Sequence, residues 1–326
     1  MTGRALARGA VVVDVAALAL GAEDRERLLQ PSVGGVILFA RNYESPAQLT
    51  ALCASIRALR APALVICVDH EGGRVQRFRD GFTQVAPMRE LGRQWDVDVA
   101  AAAVAATRTG HVIASELRAQ GVDFSFTPVL DVDFGRSTVI GDRALHRNPN
   151  AIAALAKCLI DGLHAGGAAC VGKHFPGHGF VAADSHTDLP VDDREMAELV
   201  AVDLVPFAAL ARNGLDAVMP AHVIYAKIDS ELAGFSSYWL RDRLRGRYGF
   251  DGMIFSDDLS MAGAARAGDV VARAAAAADA GCDVVLVCND SINADRLLEH
   301  WRPPANARLA SRWETMQGRP TGRCPV

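Results

Sequence analysis

Eight short apolar runs recur along the chain, rich in β-branched residues and separated by stretches of helical spacing. They are VVVDV (11–15), GGVILF (34–39), ALVICVD (63–69), VDFSFTPV (122–129), ACVGKH (169–174), DAVMPA (216–221), GMIFSD (252–257) and DVVLVC (283–288). Their apolar residues are continuous rather than alternating. That is the pattern of strands covered on both faces, and hence of a parallel sheet. Between the runs, Leu49, Leu52, Cys53, Ile56 and Leu59 follow i, i+3, i+4, i+7 spacing, with Pro46 near the start. Ile113 and Leu117 share a face of an Ala-rich segment that stops at Gly121. Residues 194–212 are helical in pattern, and Pro206 is expected to kink or split them. Residues 272–283 form a strong helix ended by Gly281.

Eight strands alternating with helices predict an α/β fold, a single-domain (β/α)8 TIM barrel over residues 1–326, regular or irregular. An open, doubly wound sheet is the alternative. No linker or low-complexity tract divides the chain. The Pro- and Arg-rich tail from about Trp301 is expected to pack outside the barrel or fray.

Composition narrows the class. The 326 residues are 50% hydrophobic, enough for a large core. A net charge of -4 with scattered Lys and Arg, and only 6% aromatics, leave no footprint for nucleic acid. Seven cysteines, none in a CxxC pair, read as reduced thiols buried in a cytosolic protein. Early arginines followed by an apolar run imitate a signal peptide, but Asp14 interrupts that run, and valines 11 to 13 read better as a first buried strand. No stretch is long and apolar enough to span a membrane, so neither a membrane nor nucleic acid is expected as a partner.

In such a barrel, chemistry sits where the strands end. The third run ends in Asp69 and continues HEGGRVQR, in which Gly72 and Gly73 suit an unusual turn. The fourth leads into LDVDFGRSTVIGDRAL, the fifth ends in Lys173 and His174, the sixth leads to His222, and the seventh ends in Ser256, Asp257 and Asp258. The connection after the fifth run, 175–193, far exceeds the roughly two to six residues usual for such loops. It carries Asp184, His186 and Asp188.

Each of these residues has a plain reading beside a functional one. Asp257 is either a helix N-cap or a nucleophile at the barrel mouth, while Asp258 suits capping better. Asp184 and His186 are either an Asx-turn with a solvated histidine or a general acid/base dyad. Arg77 and Arg143 are structural ion-pair partners or donors to a polyhydroxylated or acidic ligand. His174, His178, His186 and His222, with nearby aspartates, are a possible rim metal set, although HExxH spacing is absent.

Taken together, PSVGGVILFARNY, VDHEGGRVQRF, FTPVLDV, VIGDRAL, GKHFPGHG, ADSHTDLP, VMPAHV and GMIFSDDLSMAGA resemble the family 3 glycoside hydrolases. Within that family they are similar to the bacterial cytoplasmic β-N-acetylglucosaminidases that recycle peptidoglycan. The resemblance implies that Asp257 is the nucleophile, His186 the acid/base and Asp184 its dyad partner. It further implies that Asp69, Arg77, Arg143, Lys173 and His174 hold the N-acetylglucosamine ring. It implies retaining hydrolysis through a covalent glycosyl-enzyme, with no cofactor and no metal. The implied partner is a small sugar substrate, a peptidoglycan fragment of the GlcNAc-1,6-anhydro-MurNAc type, for a monomer or weak homo-oligomer. Where the family reads GHGDT, this chain reads GHGFV, at Gly177 to Val181. A metal-dependent barrel hydrolase, a phosphorylase and a non-catalytic sugar-binding protein are the competing readings.

Overall fold

The computed structural model describes residues 4–182 and 189–326. Each of the eight apolar runs overlaps a strand of one parallel sheet: β1 Val11–Asp14, β2 Val33–Leu38, β3 Val65–Val68, β4 Phe124–Ser125, β5 Val171–Phe175, β6 Ala217–Pro220, β7 Met253–Asp258 and β8 Val284–Val287. Their order is β4-β3-β2-β1-β8-β7-β6-β5. Parallel bridges Phe124↔Ala169 and Val129↔Lys173 join β4 to β5, so the sheet closes on itself. The expected (β/α)8 barrel is the observed fold, and the open sheet is excluded. The barrel is irregular: β4 keeps only two residues of the run 122–129, which continues into the Pro128 bend.

The continuous apolar runs have a simple origin. Side chains alternate across a strand, and here both faces are covered. Val12, Ile37, Val65, Cys67, Val171 and Val284 pack in the barrel interior. Their neighbours Val11, Val13, Val36, Leu38, Ile66 and Val285 pack outward against the helices.

Those helices are α1 Ala22–Leu28, α2 Pro46–Arg57, α3 Arg89–Val97, α4 Val99–Ala119, α5 Pro149–Ala165, α6 Met196–Ala201, α7 Leu204–Leu210, α8 Val270–Ala280, α9 Ser291–His300 and α10 Leu309–Met316. A helix of π spacing, Tyr238–Arg247, lies between β6 and β7. Pro46 opens α2 behind the N-cap Ser45, and Gly281 ends α8 at φ 125°. The segment with Pro206 splits into α6 and α7. The break falls at Val202, four residues before the proline, where its ring would meet a helical carbonyl.

The tail after Trp301 forms α10 at the N-terminal end of the barrel. Trp313 is fully buried, donates from Nε1 to the Gly9 carbonyl at 2.9 Å, and packs with Met316 in the interior cluster. A Cβ on Gly34 would sit 2.7 Å from the Trp313 ring, so glycine there makes room for the plug. Among the described residues, no helix is long and apolar enough to cross a membrane.

Candidate active site

At the C-terminal end of the strands lies a cavity of about 430 Å³, within the range of roughly 300–1,000 Å³ usual for small-molecule sites. Asp69, Arg77, Arg143, Lys173, His174 and Asp257 all line it. Strand periodicity explains three of them. Val65 and Cys67 of β3 face the interior, and two residues on stands Asp69. Val171 of β5 is followed by Lys173 in the same way, and Met253 and Phe255 of β7 by Asp257. The inward rows that are apolar inside the barrel turn polar at its mouth.

The charges at this cavity form one network. Lys173 Nζ is 2.8 Å from Asp69 Oδ1 and 2.6 Å from Glu71 Oε1. Arg143 grips Glu71 with two parallel bonds of 2.8 Å, and Arg77 stands 3.4 Å from Asp69. Glu71 is 1% exposed and was not singled out in the sequence, although it stands two residues beyond Asp69. Burial pushes its carboxyl up, but Arg143 and then Lys173 outweigh that and hold it well below the ordinary range. Burial likewise lowers Lys173, and Asp69 and Glu71 more than restore it, so the ammonium stays charged. Asp69 is held low by Lys173 and Arg77 against its own burial. Gly72 and Gly73, at φ 103° and 57°, turn the loop so that His70–Gly72 pairs back on Val75–Gln76 and carries Arg77 to the cavity.

Asp131 is a second residue that the sequence did not reveal. Its Oδ2 lies 2.6 Å from His174 Nδ1, and its Oδ1 accepts the backbone N–H groups of His178 at 2.7 Å and His174 at 3.3 Å. A buried carboxylate therefore orients the His174 ring and pins the start of the following loop. His178 lines the cavity, with its ring 5.9 Å from that of His174. Burial keeps His178 below the ordinary histidine value. His222 is wholly buried and donates from Nε2 to the Asp258 carbonyl at 3.1 Å.

Of the two aspartates at the end of β7, Asp258 is the structural one. It accepts from Ser260 N, Ser260 Oγ and Cys288 N, and burial pushes its carboxyl up to about 6. Asp257 is at the cavity, its Oδ1 accepting the Asp258 N–H at 2.8 Å. No α-helix begins at either residue, so Asp257 is not a helix cap.

The chain matches the N-terminal domain of glycosyl hydrolase family 3 over residues 9–302. This chain belongs to glycosyl hydrolase family 3. It is similar to the β-hexosaminidase of Aromatoleum aromaticum, 56% identical over 318 residues, which are 97% of this chain and 89% of that one. It is 58% identical to the β-hexosaminidase of Chromobacterium violaceum over 96% of this chain and 88% of the other. Among solved structures, NagZ from Neisseria gonorrhoeae in complex with N-trifluoroacetyl-D-glucosamine superposes with a TM-score of 0.93. The identity is 51%, over 97% of this chain and 91% of that one. The expectation of a glycoside hydrolase on a family 3 barrel is borne out.

Within the family the GHGFV departure has a local explanation. Phe180 sits among Phe134, Arg194 and Arg136: its ring meets Phe134 edge-on at 5.4 Å, and the two guanidiniums lie 4.0 and 4.4 Å from its centroid. Arg194 is fixed in turn by Asp192 and Asp203, each at 2.7 Å. Val181 is buried in the main core. Asp184 and His186 lie outside the described residues.

Proposed function

We propose that this family 3 hydrolase is a retaining exo-β-N-acetylglucosaminidase. Its substrate is terminal β-linked N-acetylglucosamine on peptidoglycan-derived muropeptides of the GlcNAc-1,6-anhydro-MurNAc type, cleaved in the cytoplasm by a monomer or weak homo-oligomer without a cofactor. The observation that carries this reading is the convergence of Asp257 with Asp69, Arg77, Arg143, Lys173 and His174 on one cavity. Identity of 56–58% to β-hexosaminidases over nearly the whole chain supports the choice of sugar.

In this mechanism Asp257 attacks the anomeric carbon and forms a covalent glycosyl-enzyme. His186, charged and oriented by Asp184, protonates the leaving oxygen. It then takes a proton from the water that releases the sugar. Retaining enzymes commonly use two carboxylates about 5–5.5 Å apart; here an imidazole, with an unperturbed pKa near about 6.5, takes the acid/base role. Lys173, His174, Asp69 and the two arginines hydrogen-bond the ring hydroxyls, so a sugar lacking one leaves a buried partner unpaired.

The test is turnover of aryl β-N-acetylglucosaminide against aryl β-glucoside, with a fluorosugar inactivator to trap the intermediate. Label on Asp257, and a loss of at least about 10³-fold in Asp257→Ala, are expected. Label on another residue, or preference for the glucoside, defeats the reading. Glycosyl phosphate as the main product in phosphate buffer would identify a phosphorylase. Activity lost to a chelator and restored by zinc would identify a metal hydrolase.

A further inference from the structure

A second constellation lies at the other end of the barrel. His164 is in the last turn of α5, Cys170 immediately precedes β5, and Asp216 immediately precedes β6. These positions are at the feet of strands whose far ends carry Lys173 and the cavity. One imidazole nitrogen, one thiol sulfur and one carboxylate oxygen from these residues all lie within 4.8 Å of one another. Among the described residues, it is the one set of three or more such donors that converges in this way.

The local bonds hold the set together. Asp216 Oδ2 is 2.6 Å from His164 Nε2 and accepts the Cys170 N–H at 2.9 Å, which keeps the carboxylate beside the thiol. Cys170 Sγ donates to the Gly214 carbonyl at 3.3 Å. A tetrahedral ion with ligands at about 2.0–2.3 Å requires donors about 3.3–3.8 Å apart, a spacing bracketed by the 2.6 Å His164–Asp216 contact and the 4.8 Å limit on the set. Beside His164 and Asp216, next to but not lined by Cys170, is a void of about 10 Å³, bounded also by Gly167, Thr315, Gln317 and Arg319. That is roughly the volume of one water-sized sphere. The His164 side chain is 37% exposed and gives an entry path.

We propose that His164, Cys170 and Asp216 form a three-ligand site for a zinc-like divalent cation, with water as the fourth ligand. Mixed nitrogen, sulfur and oxygen donors suit such a borderline ion, whereas magnesium and calcium take oxygen ligands. Binding replaces the thiol proton with a metal–sulfur bond and releases that proton to solvent. The ion ties the end of α5 to the feet of β5 and β6, so it stabilises the fold and takes no part in glycoside hydrolysis. This proposal is independent of the sugar chosen by the active site.

The test uses the full chain, stripped of metal with a chelator, desalted, and titrated with Co²⁺ followed by Zn²⁺. One equivalent of Co²⁺ should release a proton and give a near-ultraviolet sulfur-to-cobalt charge-transfer band, which Zn²⁺ then displaces without further proton release. Cys170→Ser should abolish the band. His164→Gln, at a half-exposed position, should weaken Co²⁺ binding by at least about tenfold. It should also lose the zinc-dependent rise in Tm while keeping the metal-free Tm and the glycosidase activity. A cobalt spectrum without the sulfur band would overturn the proposal, because it would place the ion at a nitrogen and oxygen site such as the barrel mouth. Equal affinity in wild type and both variants, or no binding at millimolar Zn²⁺, would overturn it as well.

Discussion

Glu71 opposes two buried cations, Arg143 and Lys173, with a single carboxylate. Removing one partner of such a set leaves uncompensated charge inside the protein, at a cost of about 3–5 kcal/mol. Glu71→Ala should lower unfolding stability by that amount in a denaturant titration. Glu71→Gln keeps the shape but loses charge-assisted bonds worth about 1.5–3 kcal/mol. It should raise KM for the aryl N-acetylglucosaminide by roughly 10- to 100-fold. A second residue-scale effect concerns His70, packed between Phe78 and Phe82 and pushed down to about 4 by burial and the nearby Arg79. The unfolded chain, with a histidine near about 6.5, binds more protons below that pH. The His70 contribution is therefore complete above about 6.5 and lost as pH falls toward 4. Between pH 7.5 and 4.5 it should cost about 2–3 kcal/mol. His70→Phe keeps a ring in place and should flatten that part of the curve of stability against pH. His178 and His222, also held low by burial, act in the same sense. Asp203, pushed up to about 6 by burial against the pull of Arg194, acts in the opposite one.

At the scale of elements, the barrel strands were the most legible feature, because covering both faces forces continuous apolar runs. The same alternation, carried one step beyond the last apolar residue, selects Asp69, Lys173 and Asp257 as inward-facing. Glu71 needed more than alternation, since the turn at Gly72 and Gly73 brings it under Lys173 and Arg143. Asp131 gave no usable signal, because its partners His174 and His178 lie more than 40 residues away in the chain. Phe180, near the start of the loop after β5, stacks with Arg194 and Arg136. Cation–π contacts of this kind are worth about 0.5–2 kcal/mol each. Phe180→Ala should cost about 1–3 kcal/mol. If the stack positions the loop that carries Asp184 and His186, kcat should fall with KM little changed. A matching rise in KM would instead place Phe180 against the sugar.

For the whole molecule, closure at both ends matters. The mouth is polar and holds the cavity, and the foot is sealed by Trp313, Met316 and the glycines that admit them. Trp313→Ala opens a void beneath β2 and should cost about 3–5 kcal/mol, measured by thermal or denaturant unfolding; a loss within 1 kcal/mol would show that α10 is dispensable. The Pro- and Arg-rich composition of the tail masked this helix, although Leu309, Trp313 and Met316 repeat at i, i+4, i+7 within it.

By itself the sequence determined the strand count, the parallel sheet, a few helix ends, at Pro46, Gly121 and Gly281, and the residue types at the strand ends. Those follow from local rules: side-chain alternation, helical spacing, and the backbone demands of Gly and Pro. Only the tertiary structure decided which charges meet. Asp69 and Lys173 are 104 residues apart and come within 2.8 Å because the sheet curls until β4 reaches β5. Closure is a property of the whole sheet and leaves no mark in any short window. The direct pairing of β5 with β6 sets Cys170 and Asp216 together at the foot, beside His164 at the end of α5, where no motif announces them.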